Sequence, residues 1–181
     1  MFSFVLILLP ILLVNTWHGY LLLNIKDNKP ETISEHAADN DKWLKIHRIV
    51  HVISSLLLIS YALYYLHPLG LHTTANILIV GALLDVIEVM TLSKDMHHGP
   101  EALKSPHTFT AWGMGLSYMM FAVFLVRESS LPAWSMHAVW MLFMMMLGTS
   151  IILKFKKFWA FQMSYFLLLS TIIITAHQNL L

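Results

Sequence analysis

The sequence predicts an all-α integral membrane protein, a bundle of six transmembrane helices that forms one transmembrane domain over residues 1–181. Hydrophobic residues make up 57% of the chain and charged residues only 12%. The mean hydropathy of +0.67 is far above that of soluble domains of this length. The apolar residues are also grouped into windows of about 20 residues, the length that crosses a bilayer as a helix.

The predicted spans, in chain order, cover residues 2–23, 43–66, 74–93, 107–126, 133–154 and 158–177. The first window has no basic start and no small-residue cleavage site, so we expect a retained helix, kinked at Pro10, rather than a secretory signal. The connections 24–42 and 93–106 are long and polar. The other connections are short, as expected between antiparallel neighbouring helices.

Basic residues predict the orientation of the bundle. All lysines and arginines except Arg127 fall at one set of helix ends. Because basic flanks favour the cytoplasmic side, we expect both termini on the non-cytoplasmic side of a bacterial-type cell inner membrane. Four tryptophans near the helix ends fit the aromatic belts of a multi-pass membrane protein: Trp17, Trp43, Trp134 and Trp159.

Composition and motifs exclude several classes of chemistry. The chain has no cysteine, which removes disulfides, thiolate metal sites, iron–sulfur clusters and cysteine nucleophiles. The net charge is +1 and no basic stripe accompanies it, so we expect no nucleic-acid partner. The HExxH, GxSxG and phosphate-loop motifs are missing from the sequence, so hydrolysis of peptides, esters or nucleotides is not indicated.

A group of ionisable residues falls inside the predicted spans, in one half of the bilayer: His18, His47, His51, Asp85 and Glu88. Such a group costs about 2.5–3.5 kcal/mol at the centre of a membrane helix and therefore indicates function. The two histidines of the second span are spaced i and i+4, and the carboxylates of the third are spaced i and i+3. Each pair therefore shares a helix face. We expect a polar pocket in the cytoplasmic half of the first four spans.

A transition-metal site is the sharpest hypothesis for this pocket. Imidazole and carboxylate are ordinary ligands of iron, manganese and zinc, and two histidines with one carboxylate bind non-haem iron. We predict His18, His51 and Glu88 as metal ligands, with Asp85 or His47 as a fourth ligand or an orienting group. Glu88 and Asp85 are also the predicted catalytic groups. We expect iron, in a membrane oxidoreductase that acts on a quinone- or lipid-like partner.

Haem b would use the same histidines differently. It needs two axial histidines from different helices at matched depth. His47 or His51 could pair with His107 or His18, and His47 and His107 are the predicted cofactor-binding residues. Haem, however, gives no role to the two buried carboxylates.

Other hypotheses stay open. Asp, Glu and His inside a bundle are typical of proton relays, so Asp85 and Glu88 also fit a proton- or ion-coupled transporter. Asp85 or Glu88 could instead pair with Arg48 or a histidine and only stabilise the bundle. The chain could also be a non-catalytic subunit with membrane protein partners. A sparse version of a desaturase-like histidine cluster, which would include His97 and His98, is a variant of the metal hypothesis.

Overall fold

A computed structural model of the protein describes residues 2–24, 32–93, 106–152 and 158–180. Within these ranges the chain forms seven α-helices and no strand, which confirms the all-α fold class. In chain order they are α1 (Phe2–Leu23), α2 (Ile33–Ala38), α3 (Asp41–Tyr61), α4 (His72–Thr91), α5 (Pro106–Glu128), α6 (Trp134–Ile152) and α7 (Phe158–Gln178). A π-helical turn, Ala62–Leu66, extends α3.

Five of these helices are long and apolar enough to cross a membrane: Phe2–Leu23, Asp41–Leu66, His72–Thr91, Pro106–Glu128 and Trp159–Gln178. They match five predicted spans closely. The remaining predicted span corresponds to α6, whose apolar stretch within the described residues, Trp134–Met145, is shorter. The chain therefore has the helices of a multi-pass membrane protein. The sixth span, the side of the termini and the identity of the membrane stay predictions.

The predicted polar connection 24–42 contains a helix that hydropathy does not reveal. α2 begins with a capping box, in which the Thr32 hydroxyl accepts from the Glu35 amide at 3.2 Å and the Glu35 carboxylate accepts from the Thr32 amide at 2.9 Å. Ile33 and Ala37 on its buried face pack in one cluster with Trp17 of α1. α2 therefore covers the part of α1 that carries His18.

His36 lies on the buried side of α2, outside the membrane-spanning helices, with its ring centroid 5.0 Å from that of Trp43. Burial lowers the pKa of His36 from its ordinary value of 6.5, although the nearby Asp39 opposes the shift. Because the folded state disfavours the protonated ring, the packing of α2 is expected to be strongest above that ordinary value and to weaken as the pH falls through it.

Close approach of α4 and α5 depends on small residues. A Cβ atom added at Gly81 of α4 would lie 3.2 Å from the Ser117 Cβ and from the ring of Tyr118. A Cβ atom at Gly113 of α5 would lie 3.1 Å from Leu84. Glycine at these positions lets the two backbones pack closely, as in other membrane helix pairs. This contact fixes α4, and with it Asp85 and Glu88, against the bundle.

Apolar side chains cover the outside of the bundle as well as its core. Large hydrophobic residues on several helices are exposed, among them Leu12, Leu56, Val80, Leu83 and Phe109. A helix that is apolar all round belongs in a core or a membrane, because water would disfavour its outer face. This surface agrees with a lipid environment.

Candidate metal centre

Two helices bring three histidines together inside the bundle. His18 lies on α1, and His47 and His51 lie one turn apart on α3, where the i and i+4 spacing puts them on one face. All three are buried, with fractional exposures of 3%, 1% and 6%. One possible ligand atom from each histidine lies within 4.8 Å of the others. We call this group the histidine triad.

The closest contact of the triad joins two ring nitrogens. The Nε2 atoms of His18 and His51 are 3.2 Å apart. Two nitrogens bound at about 2.0–2.1 Å to one tetrahedral ion would be about 3.3 Å apart. The ring of His47 lies beside them, with its centroid 4.3 Å from that of His51 and 5.9 Å from that of His18. The Nε2 atoms of His18 and His51 therefore have the separation of two metal ligands. His47 would have to move closer to them to become the third ligand.

Asp85 on α4 orients the ring of His51. The His51 Nδ1 donates to the Asp85 Oδ1 at 2.8 Å, and the Ser55 hydroxyl donates to the Oδ2 at 2.8 Å. With its proton on Nδ1, His51 directs the lone pair of Nε2 toward His18. A histidine that binds a metal almost always donates its other ring nitrogen in this way. Asp85 thus holds the ring of His51 in this position. Its role as the orienting group of a metal ligand stays a prediction.

The third histidine has a partner that the sequence did not indicate. Trp17 donates its indole N–H to the Nδ1 of His47 at 3.0 Å. This leaves the Nε2 of His47 and the Nδ1 of His18 as buried atoms without a hydrogen-bond partner among the described residues. A buried polar atom left unpaired costs about 1–3 kcal/mol. A group of buried imidazoles with unpaired nitrogens could hold a metal ion.

Glu88 lies on the same helix as Asp85 but contacts a different histidine. Its Oε1 is 3.2 Å from the Nε2 of His107, whose Nδ1 donates to the backbone carbonyl of Glu88 at 3.1 Å. Both residues are buried. Of the predicted ligands, the structure thus brings His18 and His51 together with His47, whereas Glu88 and His107 form a separate pair. With the Nδ1 of His107 donating to the carbonyl, the 3.2 Å contact requires a proton either on the Nε2 of His107 or on the carboxyl group of Glu88.

Arg48 points to the end of α4. Its guanidinium donates to the backbone carbonyl of Val89 at 3.1 Å and to that of Leu92 at 2.7 Å. These bonds satisfy carbonyls at a helix C-terminus, where a positive charge is favourable. His97 and His98, predicted for a desaturase-like cluster, lie outside the described residues.

Comparison with known protein families, with curated protein sequences and with solved structures finds no match to this chain. The functional conclusion therefore depends on the site itself. What the described residues supply is a buried group of three histidines that could hold a metal ion, inside a set of helices suited to a membrane.

Proposed function

We propose that the protein is a membrane metalloprotein in which His18, His47 and His51 bind a transition-metal ion that exchanges electrons with a lipid-soluble partner. One observation carries the proposal: three buried imidazoles from two helices converge to within 4.8 Å. Asp85 adds support, because a carboxylate behind a histidine is a common feature of metal sites. Polar groups inside a membrane bundle are costly and are retained for function.

A bare ion fits the site better than haem b does. A porphyrin between His18 and His51 would have to enter a gap of 3.2 Å between their nitrogens. The ring nitrogens of His107, the other predicted axial residue, lie 3.1 and 3.2 Å from oxygens of Glu88. We therefore favour a non-haem centre.

The ligand set suits several metals, and the choice among them decides the chemistry. Imidazole nitrogens bind zinc, copper, iron and nickel. Three protein ligands leave at least one coordination position open, which is typical of catalytic rather than structural sites. We propose iron. An electron-transfer role needs a metal with two accessible oxidation states, a condition that iron and copper meet and zinc does not. Asp85 orients His51, and the Glu88–His107 pair would hold or release a proton near the centre.

Metal loading requires two local changes. The proton that lies between the Nε2 atoms of His18 and His51 has to leave, since both nitrogens must present lone pairs to the ion. Trp17 has to give up its hydrogen bond to His47. If His47 binds the metal through Nε2, its neutral ring carries the proton on Nδ1, which can then no longer accept from Trp17. If His47 binds through Nδ1, the metal takes the place of the indole N–H.

Metal content tests the proposal directly. Detergent-purified protein is stripped with a chelator, reloaded with Fe(II) without oxygen or with Zn(II), and measured by elemental mass spectrometry and visible absorption. We expect stoichiometric iron without a Soret band, and loss of iron in His51→Ala. The matched control is His177→Ala, which removes a buried imidazole at the other end of the bundle, bonded to Tyr61 at 2.8 Å.

Each other outcome has a defined meaning. Full iron content in monodisperse His51→Ala, or no metal in the wild-type protein, would overturn the assignment of the triad. Retention of zinc alone would keep the metal site and remove the electron-transfer role. A Soret band would restore the haem hypothesis.

A second candidate, a proton relay, is favoured by a specific observation. A continuous line of hydrogen bonds runs from His18 to His51 at 3.2 Å and on to Asp85 at 2.8 Å, and Ser55 extends it at 2.8 Å. Imidazole and carboxylate groups in such a line can pass protons through a membrane protein. Proton uptake by reconstituted vesicles, followed with a pH-sensitive dye, should then stop in Asp85→Asn. Unchanged uptake in that variant excludes the relay.

A further inference from the structure

Two histidines that take no part in the triad lie side by side at the other end of α3. His67 follows the π-helical turn that extends α3, and His72 is the first residue of α4. Their Nδ1 atoms are 2.8 Å apart and their ring centroids 5.0 Å apart. His72 is exposed and His67 is half-buried, so ions in solution can reach both rings. We call these two residues the surface histidine pair.

The pair is a site of its own, remote from the triad. At about 1.5 Å per residue, His67 lies more than about 20 Å along the helix from His51. It also lies at the set of helix ends that the basic residues predict to face away from the cytoplasm. An ion bound at the pair would therefore meet water on one side of the bilayer, whereas an ion in the triad would be enclosed by the bundle.

The separation of the two nitrogens matches neighbouring positions around a metal ion. Two nitrogens bound at about 2.0 Å and at a right angle to each other are about 2.8 Å apart. Right angles belong to the square-planar and tetragonal geometries of Cu(II) and Ni(II), whereas a tetrahedral ion needs about 3.3 Å. In the metal-free protein a proton joins the two nitrogens, and it would have to leave so that both lone pairs can turn toward one ion.

Backbone hydrogen bonds hold the turn that carries the pair. The Leu71 amide donates to the Leu66 carbonyl at 3.0 Å and the Gly70 amide donates to the His67 carbonyl at 2.9 Å, which together form a Schellman motif. Gly70 has a φ of 78°, a conformation that glycine adopts readily. Because the backbone between the two rings is fixed in this way, an ion has to order little more than two side chains.

The π-helical turn before His67 points to function independently. The amide of His67 donates to the carbonyl of Ala62, five residues before it, at 2.9 Å. Such turns are rare and occur frequently at functional sites. A π turn holds more residues than an α turn, so it changes the direction in which the following side chains leave the helix. Its position directly before His67 agrees with a role in placing this ring beside His72.

We propose that the surface histidine pair binds a Cu(II) ion through its two Nδ1 atoms. Among divalent first-row ions, Cu(II) has the highest affinity for nitrogen ligands, and its tetragonal geometry accepts two of them at a right angle. Water would fill the remaining positions, because His72 is exposed. The end of one helix and the start of the next meet at the pair, so their opposite dipoles offset each other there. The inference is independent of the function proposed above.

Copper binding by the full-length protein in detergent tests this inference. Chelator-stripped protein is titrated with Cu(II), electron paramagnetic resonance records the geometry and the nitrogen ligands, and competition with a fluorescent chelator gives the affinity. We expect a tetragonal copper with two imidazole nitrogens. His67→Ala and His72→Ala should each weaken its binding about tenfold or more, because the second ring binds as an intramolecular ligand.

The exposure of the pair makes these variants informative. His72 is exposed, and a substitution at such a position usually changes stability little, so this variant should fold. The matched control is His137→Ala, which removes an exposed histidine of α6 and should leave copper binding unchanged. Zn(II) should bind the pair more weakly than Cu(II), because it prefers a tetrahedral arrangement.

Repeating the titration in His51→Ala separates the two sites, since the triad could bind copper as well. The tetragonal signal should persist in this variant. Copper at the pair without any metal in the triad would refute the metal centre and leave the inference in place. No bound copper in the wild-type protein, unchanged affinity in both His67→Ala and His72→Ala, equal weakening in His137→Ala, or loss of the signal in monodisperse His51→Ala would overturn the inference.

Discussion

Replacing Asp85 by asparagine is expected to weaken metal binding about tenfold while the pocket keeps its shape. The asparagine Oδ1 can still accept from the Nδ1 of His51, so the ring orientation and the tautomer are retained. The side chain loses its negative charge, however, and it presents an amide group to Ser55, whose hydroxyl now has to accept rather than donate. The substitution therefore tests the charge of the orienting group separately from its geometry.

The magnitude follows from what the contact does when a metal is bound. The 2.8 Å hydrogen bond to His51 is also present without metal, so only its strengthening by the ion contributes to affinity. Loss of such an orienting partner typically costs about 10- to 100-fold in metal affinity. Asp85→Asn keeps the acceptor and should fall at the lower end, about 1.4 kcal/mol. Asp85→Ala removes the acceptor and should approach the upper end.

Competition titration against a fluorescent chelator measures both affinities in detergent. Thermal unfolding of the metal-free proteins is measured beside it, so that a loss of fold is not mistaken for a loss of affinity. Wild-type affinity in both Asp85→Asn and Asp85→Ala would refute the reasoning. It would mean either that His51 is not a ligand or that its orientation does not depend on Asp85.

Four further predictions follow from the same contacts. Metal affinity should fall as the pH falls, because protons compete for the facing ring nitrogens; a pH-independent titration would contradict this. Trp17→Phe should tighten metal binding about 5-fold, because the indole no longer competes for His47. Weaker binding in the same chelator titration would mean that Trp17 supports the site. Glu88→Gln should reduce affinity less than Asp85→Asn, and complete metal loss would make Glu88 a ligand. Gly81→Val should cost about 1–3 kcal/mol in unfolding measurements through overpacking, whereas Gly115→Val, where an added Cβ meets nothing within 4 Å, should not.

The sequence predicts the long helices well because a single physical requirement determines where they begin and end. The requirement to bury backbone polar groups in lipid sets both the length and the composition of a span, and α1, α3, α4, α5 and α7 follow it. The short helix α2 escapes this reasoning, since it is amphipathic and lies outside the spans. Its capping box, Thr32 with Glu35, is nevertheless readable in the sequence, and would have indicated a helix start.

The candidate site could be predicted only in part. The i and i+4 spacing of His47 and His51 is a local property of one helix, so the sequence predicts that both lie on the same face. Their meeting with His18 depends on which helices are neighbours, and that is a tertiary property. Glu88 shows the same limit. It shares a helix face with Asp85, yet Asp85 contacts His51 of α3 whereas Glu88 contacts His107 of α5.

Residues without charge were the hardest to foresee. Trp17 looks like an ordinary interfacial aromatic residue near a helix end, and nothing in its spacing indicates a role. Its contact with the site is made by one atom, the indole N–H that donates to a ring nitrogen of His47.

The metal centre and the proton relay compete for one place in the molecule. The position between the Nε2 atoms of His18 and His51 can hold a proton, which joins the two rings into a relay, or an ion, which requires that proton to leave. An ion bound there would therefore interrupt the line that leads to Asp85. The two candidate functions cannot operate in the same molecule at the same time. The metal occupancy at the pH of the surrounding aqueous phase thus decides between them. Trp17 biases the outcome, because its hydrogen bond to His47 is present only in the metal-free state.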